Sequence, residues 1–225
     1  MKKILFFVAI FATTMSFAQN AYWAMEFKVK PHSEKELTEA FEKAFKDVKI
    51  KQGGVSFENL GTGSLGMTHR IVFSFTLGVE MMEKDAINPD RNDAFWSKLE
   101  YFVEQWGPSY SGRALSFQIG DTINHDVHIW DIKVKDATKF KAAQDQLVKD
   151  FKDDFAGRDV GFGTYDIGRP NGATHWMYLS GKDSEDHLKI LDKLEKQPKF
   201  IKYIQDRGEV IDVKDFELYI LKSKH

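Results

Sequence analysis

Apolar positions along the chain change period in a fixed order. Residues 22–30, YWAMEFKVK, alternate as a half-buried strand does. From Leu37 the period lengthens. Leu37, Ala40, Phe41, Ala44, Phe45 and Val48 recur at helical spacing, which predicts an amphipathic helix. Ser33 followed by Glu36 has the form of a capping box and marks the expected helix start. The glycine-rich stretch SFENLGTGSLGMTH, from Ser56, predicts a strand running into a hairpin turn, with THRIVFS (68–74) as the next strand. DAFWSKLEYFVEQWG (93–107) predicts a second helix ending at Gly107, and RALSFQIG (113–120) a closing strand.

The same order then recurs. VHIWDIKVK (127–135) aligns with the opening strand without a gap and sets Asp131 against Glu26. Phe140, Ala143, Leu147 and Phe151 form a thinner helical stripe, with Asp136 as N-cap. GTYDIGRPNGATH leads into THWMYLS (174–180), a second Thr-His strand. SEDHLKILDKLEKQPKFIKYIQDRG predicts helix interrupted at Pro198 and ended at Gly208, and FELYILK (216–222) closes the copy. Residues 21–120 and 125–225 therefore read as two β-α-β-β-α-β units joined through GDTIN (120–124).

This element order resembles the dimeric α+β barrel superfamily, with its two ferredoxin-like units fused in tandem. The resemblance implies an α+β fold: two four-stranded sheets closing one barrel, with the helices outside. Members include antibiotic-biosynthesis-type and haem-degrading monooxygenases, chlorite dismutase-like proteins and stress-responsive barrel proteins. Haem-degrading members carry a histidine on the second helix, one turn after a phenylalanine. Ile204 stands there in the second copy and Val103 in the first. The resemblance therefore brings no haem ligand, and no cofactor is expected.

The N-terminus adds a destination. MKKILFFVAIFATTMSFAQN has a basic start, an apolar run and the small-residue pattern Ser16-Phe17-Ala18, as a signal peptide cut after Ala18 has. The apolar run is too short to span a bilayer as a helix. The expectation is a periplasmic or secreted protein (1–18 removed) with no membrane attachment. Of 32 basic and 34 acidic residues, Lys2 and Lys3 leave with the peptide, so the mature net charge moves from −2 to about −4. That balance lacks the basic footprint of a nucleic-acid binder. The chain has no cysteine, which excludes disulfides, thiolate metal sites and a thiol nucleophile.

Strand alternation sorts the candidate chemistry. Trp23, Met25, Phe27 and Val29, with His128, Trp130, Ile132 and Val134, form the apolar face expected under the helices. His69 and His175 join it. Tyr22, Ala24, Glu26 and Lys28, with Ile129, Asp131 and Lys133, fall on the other face. So do Arg70, Trp176 and Tyr178. The barrel interior is thus expected to hold Glu26, Asp131 and Arg70 among the aromatic residues Tyr22, Trp176 and Tyr178, with the lysines reaching out at the mouth. Charges there need partners. They read either as a salt-bridge cluster joining the sheets or as a polar pocket for a small molecule. A second candidate site is the sheet–helix layer near Trp23, His128, Trp130, His69 and His175. Histidine spacing matches no metal motif; His125 and His128 point to opposite faces, and His187 reads as a core or rim residue. GTGSLG precedes a strand, where a phosphate loop needs a helix. The resulting expectation is an exported, small-molecule-binding barrel of monooxygenase-like type. Its alternatives are a non-catalytic interaction protein with a structural polar interior, and a haem-binding protein. Oligomeric state is left open.

Overall fold

A computed structural model describes residues 19–83, 86, 88–121 and 124–225. The expected signal peptide lies outside the described residues. The first half consists of β1 (Asn20–Val29), α1 (Glu34–Phe45), β2 (Gly54–Leu60), β3 (His69–Thr76), α2 (Pro89–Phe102) and β4 (Val103–Gln118). The second half has β5 (Asp126–Val134), α3 (Ala137–Asp150), β6 (Val160–Thr164), β7 (His175–Gly181), α4 (Ser184–Glu195), α5 (Pro198–Asp206) and β8 (Val210–Lys224). The strands close one antiparallel barrel in the order β1-β3-β2-β8-β5-β7-β6-β4. β2 pairs with β8, and β4 with β6, so each half covers the other's sheet edges.

The opening strands separate two environments, as their alternation predicts. Phe27 and Val29 pack with Leu37, Phe41 and Phe45 of α1 and Phe95 and Leu99 of α2. In the second half Ile132, Val134, Phe140 and Phe162 form one cluster, and Leu147, Phe151, Ile190, Leu194 and Tyr203 another. Lys28 reaches Glu104 at 2.8 Å, and Lys133 is exposed, so both lysines leave the interior.

Several local expectations change. Ser33 occupies the N-cap of α1, but its side chain makes no capping hydrogen bond. The first-turn acid Glu34 accepts instead from Asn59 (2.7 Å) and lies 2.9 Å from His69 Nε2. Asp136 does cap α3, accepting from Lys139 N at 3.0 Å. Pro198 begins a separate helix, at a position where its missing N–H is no loss. α2 does not run to Gly107. It ends at Phe102, Val103 turns extended and pairs with Val29, and the chain enters β4 directly. β4 is therefore ten residues longer at its start than the expected 113–120 strand. Gly107 lies inside it, where a Cβ would sit 2.9 Å from the Glu26 carbonyl oxygen. Val103 is thus a strand residue and no counterpart of Ile204 on α5.

Candidate functional site in the barrel interior

Arg70 on β3 stands between Glu26 on β1 and Glu58 on β2 in cross-strand register. All three are buried. The guanidinium donates to Glu58 through Nε and reaches the Tyr110 hydroxyl at 3.4 Å. Glu58 also accepts from Ser56 at 2.6 Å. The Tyr110 hydroxyl in turn donates to Glu26, 2.8 Å away. Burial alone would lower the Arg70 pKa; Glu58, through its charge and hydrogen bond, together with Tyr110 and Tyr165 outweighs it and holds the group well above its usual value. This part of the network has a partner for each charge, as buried ions require.

The second half places a different set around the matching acid. Asp131 on β5 is flanked by Trp176 on β7 and Lys214 on β8. Tyr165, just beyond β6, donates to Asp131 Oδ1 at 2.5 Å. Burial lifts the Asp131 pKa to about 6, against the opposing pull of Tyr165, Lys214 and Arg70. Burial also pushes Tyr110 and Tyr165 well above the usual phenol value. Tyr22 bridges the halves: it donates to the Thr164 carbonyl at 3.0 Å and meets the Tyr110, Tyr165 and Trp176 rings edge-on, with centroids 5.8–6.4 Å apart. The Trp176 indole N–H lies near the Tyr22 hydroxyl but makes no hydrogen bond of normal geometry, so it is a buried donor without a partner. Inward-facing Tyr22, Val72, Ser74, Trp176 and Tyr178 are all only half-buried, although the barrel closes around them. Tyr178 packs against Phe117 at the rim, their centroids 5.3 Å apart.

The barrel thus brings Glu26, Arg70, Asp131, Tyr22, Trp176 and Tyr178 to its inner side. Glu58, Tyr110 and Tyr165 complete it without having been anticipated. Alternation continued from Phe57 would have turned Glu58 inward. Tyr110 lies ahead of the 113–120 strand that the sequence predicts, and Tyr165 in the glycine-rich stretch predicted to run from a strand into a hairpin turn. Glu26 and Asp131 do not bond each other. Each accepts from its own tyrosine, and those two rings meet edge-on at 5.2 Å.

The proposed sheet–helix grouping does not assemble. Trp23 and His69 lie in the first half's layer, beside Phe73 and Phe57 respectively. His128, Trp130 and His175 lie in the second half's. The Thr-His pairs have a common structural task. Thr68 Oγ1 accepts from Val29 N and Thr174 Oγ1 from Val134 N, both at 2.9 Å. Each hydroxyl also meets its neighbouring histidine Nδ1 at 2.9 Å. The motif ties down the end of each opening strand, and burial lowers the pKa of both histidines.

Haem does not fit the second half's layer. Phe151, Leu194 and Tyr203 fill it, each no more than 6% exposed, and Ile204 is 40% exposed at the family's ligand position. A cleft of about 390 Å³ between α1 and the end of β8, lined by Phe41, Glu42, Phe45 and Lys222–Lys224, touches none of the interior residues. Among the described residues, no helix is long and apolar enough to cross a membrane.

No family model matches the chain, and no curated protein matches it. Solved structures match its fold. A protein from Lactobacillus acidophilus NCFM, provisionally described as a monooxygenase, is 14% identical with a TM-score of 0.60, covering 92% of this chain and 98% of its own. One from Fusobacterium nucleatum subsp. nucleatum, with the same provisional description, is 16% identical at TM-score 0.60, covering 93% and 95%. A haem-binding protein from Thermus thermophilus is 6% identical at TM-score 0.52, covering 90% and 91%. These are likenesses to dimeric α+β barrels, and at such identities they speak to fold.

Proposed function

Starting from a dimeric α+β barrel fold closed within one chain, we propose an exported protein that binds a small, flat aromatic molecule in the barrel lumen. The two halves, 21–120 and 125–225, are read as copies of one unit that have diverged where the ligand sits. The observation that carries this reading is the unpartnered, buried Trp176 N–H beside Asp131, in a barrel interior where Tyr22, Trp176 and Tyr178 are only half-buried. An acceptor oxygen on the ligand would take the indole proton. A hydroxyl on it would face Asp131, whose pKa of about 6 suits proton exchange near neutrality. Tyr22 and Tyr178 supply ring faces. The provisional monooxygenase descriptions of two structural neighbours are compatible with such a substrate, and Asp131 would then act as the acid/base.

The test is a thermal-shift screen of the mature chain against hydroxylated naphthalenes and naphthoquinones, repeated with Trp176→Phe and Asp131→Asn. Stabilisation lost in both variants supports the reading. Ligand shifts that survive both place binding elsewhere, and a screen without any shift argues for the competing reading. In that reading the interior is structural, as the complete pairing of Glu26, Glu58, Arg70 and Tyr110 favours. Export is tested separately, by the N-terminal residue of protein recovered outside the cytoplasm; Gln19 is expected.

A further inference from the structure

His128 on β5, His187 on α4 and Glu217 on β8 come together on the helix side of the second half's sheet, apart from the lumen. Each offers one donor atom, and the three lie within 4.8 Å of one another. His128 and Glu217 are cross-strand partners in the β5–β8 ladder, which puts both side chains on one face. α4 lowers His187 onto that face, where its Nδ1 is 3.2 Å from Glu217 Oε1. His187 is 1% exposed, and the side chains of His128 and Glu217 are 14% and 21% exposed.

From these positions we infer a site for one divalent first-row transition-metal ion, held by His128, His187 and Glu217. Two imidazoles and one carboxylate, with a further position open, are a ligand set suited to zinc or to non-haem iron(II). Donors bound tetrahedrally would stand about 3.4 Å apart, so no pair has to close by more than about 1.4 Å around the ion. The supporting shell is built. Ser184 Oγ donates to the second Glu217 oxygen at 2.5 Å, which fixes the carboxylate. Trp130 stacks on the His128 ring with centroids 3.9 Å apart and planes 11° from parallel, which fixes that imidazole. Asp215 Oδ2, 3.7 Å from His128 Nε2 and largely exposed, marks the solvent side of the cluster.

Two observations separate this cluster from ordinary core histidines. A buried imidazole normally has partners for both nitrogens. Here His128 Nδ1 and His187 Nε2 are buried without one. Nor is the cluster a consequence of the repeat. The first half puts Trp23 and Ser111 at the paired positions that His128 and Glu217 occupy in the second. Spacing along the sequence could not reveal the site, because its ligands come from three separate elements.

The test is a Co²⁺ titration of the metal-stripped full chain, followed by visible absorption, with Zn²⁺ and Fe²⁺ as competitors. One equivalent should produce saturable bands that Zn²⁺ displaces. Glu217→Gln and His128→Gln should each weaken binding by at least about tenfold, while His125→Gln, at an exposed histidine, leaves it unchanged. His187→Gln sits in the core, so circular dichroism accompanies every variant, and the two rim variants decide the outcome if it unfolds. No saturable band, or binding that Glu217→Gln and His128→Gln leave intact, overturns the site.

Discussion

Asp131 shows how a single position links stability to chemistry. Its folded pKa of about 6 lies above the roughly 3.9 of an unfolded aspartate. The native state therefore holds a proton that the unfolded chain releases between those values. Stability falls as pH rises through that window, by about 3 kcal/mol in total, and the loss is complete above pH 6. Asp131→Asn should remove this slope in urea denaturation and raise stability at pH 8, with little effect at pH 4. Tyr165→Phe should act the other way. It strips the carboxylate of its donor and lowers stability at pH 8 by about 1–3 kcal/mol, less below pH 6. In the first half the charges are paired, so Arg70→Leu leaves Glu58 buried without its cation and should cost about 3–5 kcal/mol in the same assay. Sequence alternation was enough to turn Glu26, Arg70 and Asp131 into one interior. It could not say that they are bridged by Tyr110 and Tyr165, because hydrogen-bond partners across a barrel depend on register.

At the scale of elements, the strand–helix order was legible because burial imposes different periods on each. The exceptions are informative. β4 starts ten residues early because pairing with β1 begins at Val103 and captures chain that by itself suits a helix. Ser33 fails as a side-chain cap even though its motif is intact. The closure seam makes a sharper demand. A Cβ on Gly112 would lie 1.7 Å from the Thr164 carbonyl oxygen, next to the β4–β6 pairing. Gly112→Ala should therefore force the seam apart and destabilise the chain by about 3 kcal/mol, read as a lower urea midpoint. Thr68→Val removes the acceptor for Val29 N–H and should cost about 1–2 kcal/mol, which tests the strand-end role of the Thr-His motif.

The whole molecule is a barrel whose two halves share a backbone plan and differ in what they carry. The first half holds a closed ion-pair network. The second holds a raised carboxyl and an unpartnered indole facing the lumen, and a histidine–carboxylate cluster on its outer face. The packed layer around Phe151, Leu194 and Tyr203 predicts a purified protein without a Soret band, before and after added haemin. The proposed aromatic ligand would sit inside the barrel beside Asp131 and Trp176. A crystal structure of the mature chain soaked with the tightest-binding hydroxynaphthoquinone tests that placement most directly. Ligand density is expected between Tyr22, Trp176 and Tyr178, with an oxygen within hydrogen-bond distance of Trp176 Nε1. Density confined to the outer cleft along α1, or a lumen unchanged at saturating ligand, would contradict it.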